Sequence, residues 1–447
     1  MKRGLLALVA SLVLIFPPLV AHGSTSVGSL AKAGQFCAPQ KGAGGPSVTI
    51  TWSTWGNPGE LKRFQEFTDA FNKCYAPRVT AKLVPVPITD YNPKILTEIA
   101  GGTAPDLFYI GAQSIGTFVD KGVIADLTSY LTGPMSKSKP EEFFPGLWSA
   151  AKMAGHYYGV PVDNNPMIMW YNKALLKDAG VTQMPETLVE QGKWSWSAFQ
   201  AISQKVRAKG NYGYVLGNWD GHYYSWVTTG GGKLYANNRF VVAQDPKSVA
   251  AFTYLNNNLN AKNFVYTGNL PRGEGDDALF LAQKVAFVGA GRWYLPEFKQ
   301  ASGLQFDIVP WPSLSGKLTP AYDATAYMVM LKATKHPKEA FTFLTNFVSR
   351  QGQIFRLQGG GNAVPSVKGA DAVVLEGNLP AHAKYFLTAR EVGYAEPATQ
   401  ARVAGLSTYM DSALENIWLK HKPVGATLNQ IAATANKMIA KEMGKTR

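Results

Sequence analysis

The segment from Gly155 to Lys173 constrains the chain most. Gly155-His156-Tyr157-Tyr158-Gly159 turns into Val160, and Pro161 with Asn164-Asn165-Pro166 then interrupts two strand-like runs. A proline removes a ladder donor and restricts the residue before it, so one unbroken strand through this stretch is disfavoured. The pattern implies a chain that leaves one compact unit and enters another. Length agrees, because 447 residues with 46% hydrophobic content exceed what a single growing core absorbs. Small-molecule clefts form preferentially where domains meet, which directs attention to the residues after Pro161.

The N-terminus reads as an export signal. Met1-Lys2-Arg3 is basic, Gly4 to Val20 is apolar, and Ala21-His22-Gly23-Ser24 offers a small-residue cleavage point, so removal of residues 1–23 is expected. Pro17-Pro18 breaks the run before it reaches the roughly 20 apolar residues of a spanning helix. Residues 24–46, rich in Gly, Ser, Ala and Lys, read as a flexible leader, with folding starting near Ser47. A secreted protein, periplasmic or at the cell surface, is expected, and a monomer. An oxidising compartment permits one bridge between the two cysteines, Cys37 and Cys74, without requiring it.

Lys and Arg total 44 against 30 Asp and Glu, a formal charge of +14. These basic residues are scattered rather than blocked, so a solvated basic surface is expected and nucleic acid is not. Six His and two Cys fall at no metal-ligand spacing, and no phosphate loop or Gly-x-Ser-x-Gly elbow occurs. No cofactor, metal or enzymatic activity is expected.

Period-2 and helical patterns alternate along the chain. Val48 to Trp52 reads as a strand, Gly56-Asn57-Pro58-Gly59 as a turn, and Leu61, Phe64, Phe67 and Phe71 as one helix face. Arg78 to Val86 is a second strand, Tyr91 to Ala100 a helix stopped at Gly101-Gly102, and Ala104 to Ile110 a buried strand in which Asp106 caps or braces from within. Met167 to Tyr171, Tyr214 to Leu216, Val285 to Val288 and Phe306 to Val309 are further strands, with helices at Lys173 to Ala179, Trp196 to Ala208 and Ala278 to Gln283. Ala326 to Leu331 and a helix from Pro337 to Ser349 follow, and the remainder is mostly helical. Strands separated by helices imply an α/β fold with parallel sheets.

Six segments then line up in order: Ala104-Pro105-Asp106-Leu107, Gly122 to Leu127, Tyr158-Gly159-Val160-Pro161, Trp170-Tyr171-Asn172-Lys173, Gln283 to Phe287 with Gly291-Arg292-Trp293, and Lys338-Glu339-Ala340. Together they make the chain resemble the family 1 extracellular solute-binding proteins of ABC importers, the group that includes maltose-binding protein. The resemblance implies a periplasmic-binding-protein fold of type II, two α/β lobes joined by a hinge, with a cleft that closes on solute. It also implies the membrane permease subunits of an importer as partners. The expected lobes are 47–162 with 314–362, and 163–313 with 363–447.

A sugar site needs flat rings for C–H faces and side chains that donate and accept for hydroxyls. Gly217 to Trp226 interleaves rings with Asn, Asp, His and Ser, which makes Trp219, Asp220, Tyr223 and Trp226 a candidate platform; in the resemblance the family's second-lobe aromatic falls on Tyr223. The resemblance further places Trp55 and Asn57 in a ligand-facing turn and Gln113 and Ser114 at polar sugar contacts. It puts Asn165 and Asp323 on the cleft side and Trp293 at the stacking position. Tyr91 reaches the cleft from its helix start. A sugar or short oligosaccharide is therefore the expected ligand. The alternatives are an anionic ligand, for which the basic charge and Arg292 are the motive, and a secreted glycoside hydrolase using Asp220 and Asp323 as its carboxylate pair.

Overall fold

The computed structural model describes residues 36–37, 46–271 and 275–445. The export signal expected at 1–23 and most of the leader lie outside the described residues.

Along the chain the sheet strands are β1 (Val48–Ser53), β2 (Val79–Leu83), β3 (Leu107–Gly111), β4 (Val160–Pro166), β5 (Ile168–Asn172), β6 (Tyr212–Leu216), β7 (Phe264–Tyr266), β8 (Val285–Ala290), β9 (Phe306–Pro310) and β10 (Asp323–Met330). The helices that matter below are α1 (Pro58–Tyr75), α2 (Tyr91–Ala100), α3 (Ile115–Asp120), α4 (Trp196–Ala208), α5 (Asp220–Thr229), α6 (Pro337–Val348), α7 (Arg350–Leu357), α8 (Lys384–Val392), α9 (Ala398–Arg402) and α10 (Leu406–Trp418).

Two five-stranded sheets result, β2-β1-β3-β10-β4 and β7-β6-β8-β5-β9. Each carries its own core and so defines a lobe. Trp52, Phe64, Phe67, Tyr109, Phe343 and Phe347 pack beneath the first sheet, while Trp170, Phe199, Tyr214, Phe264, Phe287 and Trp311 fill the second. Neither sheet is purely parallel, contrary to the expectation from strand and helix alternation. β10 returns antiparallel between β3 and β4, and β5 runs antiparallel to both β8 and β9. The reason is topological: β5 and β10 are the strands by which the chain enters a lobe from the other one, and such an entry needs no right-handed crossover.

Backbone passing between two cores is buried, so its polar groups must pair there. Only Met167 separates β4 from β5, and its N–H donates to the Tyr322 carbonyl at 2.8 Å, tying the outward crossing to the returning one. Next along, Asp323 N–H donates to Tyr394 O at 2.8 Å, and Asn164 and Val364 exchange backbone bonds. β4 continues in the first sheet to Pro166, past the boundary expected at residue 162, because it pairs with β10 over its whole length. Arg356 locks this region from below. Its guanidinium donates to Asp163 Oδ1 at 3.1 Å and to Val162 O at 2.8 Å, over the face of Phe347 at 4.2 Å.

Asp106 braces the first sheet as expected, accepting from Thr51 N–H at 2.8 Å and from Thr334 Oγ1 at 2.5 Å. Two other expectations change. Pro58-Gly59 is the first turn of α1 rather than a loop, since Asn57 and Glu60 form a capping box and proline suits a helix start. Phe36 and Cys37, expected within the flexible leader, are buried in the first core: Phe36 stacks on Phe67 at 4.4 Å, and Cys37 is joined to Cys74 of α1. That bridge closes a separation of 37 residues. Replacing both cysteines by serine should lower unfolding free energy by about 2–4 kcal/mol, read by urea titration of the oxidised protein against the variant.

Candidate functional site

Where the lobes meet, β1 runs out into Trp55 and the N-terminus of α1. Asn57 caps that helix, its Oδ1 accepting from Glu60 N–H at 2.9 Å, and its Nδ2 reaches across to the Trp293 carbonyl at 3.1 Å. Gly59 lies against Pro296, where an added Cβ would come within 2.8 Å. Asn165, at the end of β4, accepts from the Arg292 N–H at 2.9 Å. These contacts join the first lobe to the loop that follows β8, which carries Trp293.

Trp293 is half-buried and has Trp219 beside it, ring centroids 6.3 Å apart at 60°. Both indoles rest on a glycine. An added Cβ would stand 2.3 Å from the Trp293 ring at Gly291 and 2.2 Å from the Trp219 ring at Gly221, so only glycine leaves these seats open. Trp219 in turn meets Tyr322 edge to face at 5.7 Å. On the first lobe Trp55, also half-buried, stands edge-on to Tyr91 at 4.9 Å and to Tyr109 at 5.8 Å. Three partly exposed indoles, two from one lobe and one from the other, therefore flank the contact between Asn57 and Trp293.

The remaining expected residues divide. Gln113 is half-buried and folds over Gly111, and Ser114 accepts from Asn92 Nδ2 at 3.0 Å. Tyr91 does not reach the cleft: it is 1% exposed and donates its hydroxyl to Ser53 O at 3.0 Å, because its position starts α2 on the core face. The platform expected over 217–226 is corrected in the same way. Trp226 is enclosed by Trp196, Phe199, Tyr214 and Trp311. Tyr223 stacks on Trp418 at 5.9 Å and donates to Asn218 Oδ1 at 2.9 Å. Both are fully buried core groups of α5, whose polar residues are paired inside: His222 Nδ1 accepts from Tyr214 Oη at 2.8 Å and Gly217 N–H at 3.2 Å. Burial holds that imidazole neutral, its pKa driven down to about 3. Trp219, just before the helix, is the ring that stays partly open.

Arg292, the motive for an anionic ligand, is also withdrawn. It is completely buried, and its guanidinium donates to the carbonyls of Ala363 at 2.9 Å and Val373 at 3.1 Å.

Asp220 and Asp323 are both buried. Asp220 Oδ2 accepts from Gln400 Nε2 at 2.7 Å, and burial pushes its pKa up to about 6. Asp323 begins β10 with Oδ1 unpartnered; burial pushes its pKa up to about 8, against the opposing pull of Arg390. Sequence reasoning missed the groups around Asp220: Tyr322, Tyr394, Glu396 and Gln400. Glu396 is 1% exposed and accepts from Tyr322 Oη at 2.6 Å. Its only sequence signal is the break from Gly393 to Pro397 in an otherwise helical region. Among the described residues no group of His, Cys, Asp and Glu is arranged to hold a metal ion, and no helix is long and apolar enough to cross a membrane.

Two outcomes follow from this geometry. Trp226→Ala should cost about 3–5 kcal/mol of stability as a large-to-small core change, whereas Trp219→Ala should cost clearly less; thermal unfolding of the two variants decides. Because the folded state raises Asp323 from 3.8 to about 8, the folded form binds its proton more tightly, and stability falls as pH rises through that window. Asp323→Asn should flatten that fall, measured as Tm between acidic and mildly basic buffers.

Comparison with known proteins closes the argument. The profile of bacterial extracellular solute-binding proteins matches residues 55–354. An uncharacterized lipoprotein of Streptomyces antibioticus is 25% identical over 177 residues, 40% of this chain and 37% of that one, so the match spans little more than a third of that relative. The maltodextrin-binding protein MdxE of Bacillus subtilis is 24% identical over 300 residues, 64% of this chain and 67% of its own length. Among solved structures, the ABC substrate-binding protein Lmo0181 of Listeria monocytogenes in complex with cycloalternan superposes with a TM-score of 0.78 at 22% identity, covering 88% of this chain and 100% of that one. With two α/β lobes joined by paired crossings and a family profile matched over most of its length, the chain belongs to the bacterial extracellular solute-binding protein family.

Proposed function

We propose that this protein is an extracytoplasmic receptor that captures a sugar or short oligosaccharide between its lobes and delivers it to the permease of an ABC importer. The observation that carries this reading is the set of half-buried indoles, Trp219 and Trp293 on glycine seats in one lobe and Trp55 in the other. Flat apolar faces of this kind suit the C–H faces of a pyranose, and the polar groups beside them suit its hydroxyls. The ligands of the similar proteins support the class: a maltodextrin for MdxE, cycloalternan for Lmo0181. Closure about the crossings at 166–168 and 320–323 would desolvate the bound sugar, in the manner of hinged binding proteins.

The other readings lack support. Arg292 spends its charge on backbone carbonyls, which removes the specific motive for an anionic ligand. Asp220 is held by Gln400, and both carboxyls are buried, Asp220 2% and Asp323 4% exposed, rather than open on either side of a groove for hydrolysis.

A thermal-shift screen of the mature chain against neutral mono- and oligosaccharides tests the reading. A ligand at about 100 times its Kd should add roughly 2.7 kcal/mol of stability. Trp293→Ala and Trp219→Ala should each weaken such a ligand by about 10- to 100-fold through lost ring burial, with the fold intact. Silence across the panel, or unchanged affinity in both variants, would overturn the assignment.

A further inference from the structure

Beside Trp219 the second lobe buries carboxyl groups that its own side chains leave unbalanced. Asp220 and Glu396 are 2% and 1% exposed. Asp220 takes a hydrogen bond from Gln400, and Gln400 Oε1 receives the hydroxyls of Tyr224 at 2.7 Å and Tyr235 at 2.5 Å. Tyr322 serves Glu396 Oε2, but Glu396 Oε1 is buried and meets no donor, and the same holds for Asp411 Oδ1 on α10. Among the described residues no ion pair involves any of these three carboxyls. The charges that act on Glu396 are those of Asp220 and Asp411, both negative.

Aromatic rings gather near the same spot. Tyr322, which holds Glu396, stands edge-on to Trp219 at 5.7 Å and to Tyr394 at 6.0 Å. Ser149 of the first lobe donates to the Glu396 carbonyl at 3.3 Å, so the corner lies where the lobes touch. A neutral hydroxyl asks for a donor as well as an acceptor, and this corner is rich in acceptors. Carboxyl oxygen without a partner, among other acids and with no ion-pair partner, is an environment that favours a cation.

We infer that this corner receives a protonated amine, so that the ligand is a saccharide carrying an amino group, with Glu396 as its carboxylate partner and Tyr322 and Trp219 as its walls. The inference rests on the reading of the chain as a sugar receptor and names the chemical class within it.

The proton balance gives it a signature. Burial and the neighbouring acids hold Glu396 well above the usual carboxylate range, so its carboxyl keeps a proton to higher pH than a free carboxylate does. An ammonium entering the corner displaces that proton, exchanging one positive charge for another. The groups that face Glu396 are the acids Asp220 and Asp411 and the phenols Tyr224, Tyr235, Tyr322, Tyr327 and Tyr394, none of them cationic. Binding of the amine should therefore tighten with rising pH, by up to about tenfold per unit, until the amine loses its own proton. A neutral saccharide should not show this rise.

Matched ligands test it by isothermal titration calorimetry of the full mature chain: glucosamine against glucose, and chitobiose with free amines against N,N′-diacetylchitobiose. Each pair is measured at several pH values and in buffers of different ionisation enthalpy. The expected result is at least tenfold tighter binding of the amine member near neutral pH, below the point where the amino sugar loses its own proton, net proton release on binding, and loss of both in Glu396→Gln while the neutral member binds as before. Equal binding, preference for the neutral member, or no proton release would overturn the inference and leave a sugar receptor standing. No heat and no thermal shift with any saccharide would overturn both. Should Glu396→Gln fail to fold, the pH slope and proton count of the parent protein decide alone.

Discussion

Two lobes can be built from one chain only if the segments that pass between them satisfy their own backbone, because water is excluded there. In this protein the solution is mutual: the outward crossing at Met167 donates to the returning one at Tyr322, and the residue after that reaches Tyr394 in a third pass. An unpaired buried amide costs about 1–3 kcal/mol, so the three segments hold together as a unit rather than as independent linkers. The antiparallel placement of β10 between β3 and β4 follows from this, since a strand returning beside its predecessor must run against it. Residues of the candidate site join that unit. Asn165 ends one crossing, Tyr322 and Asp323 begin another, and the ring cluster grows from them.

Arg356 shows how the unit is fixed to its lobe. A buried guanidinium needs anionic and carbonyl partners together, and it finds Asp163 and the Val162 carbonyl on the same strand that leads into the crossing. Arg292 does the equivalent for the other lobe by gathering carbonyls from the segment after α7. Two cations that look available in the sequence are thus committed to architecture.

Much of the fold was legible because periodicity reports burial. The helix face of Leu61, Phe64, Phe67 and Phe71, the stop at Gly101-Gly102 and the strand at Trp170-Tyr171 all follow from patterns that a core imposes locally. Strand direction was not, since antiparallel entry into a sheet depends on which lobe the chain comes from. Of the rings that sequence reading expected to face a ligand, Trp55, Trp219 and Trp293 are partly exposed, while Tyr91, Tyr223 and Trp226 are buried. The polar residues interleaved with α5 seemed to argue for an open surface. In fact His222 Nδ1 finds Tyr214, and Ser225 finds both Gly221 O and the Tyr322 N–H, so much of a polar pattern can be satisfied inside a core. Glu396 escaped notice because Asp220, far away in sequence, and Asp411, on a helix of its own, act on it only in the folded chain.

The two glycine seats carry an implication for selectivity. Gly221 and Gly291 each fix how deep an indole can lie, and one methyl at either place would lift that ring out of its recess. Under the proposed sugar-receptor reading, a single small change beneath the tryptophans would shift selectivity by moving a ring while the tryptophans themselves stay the same.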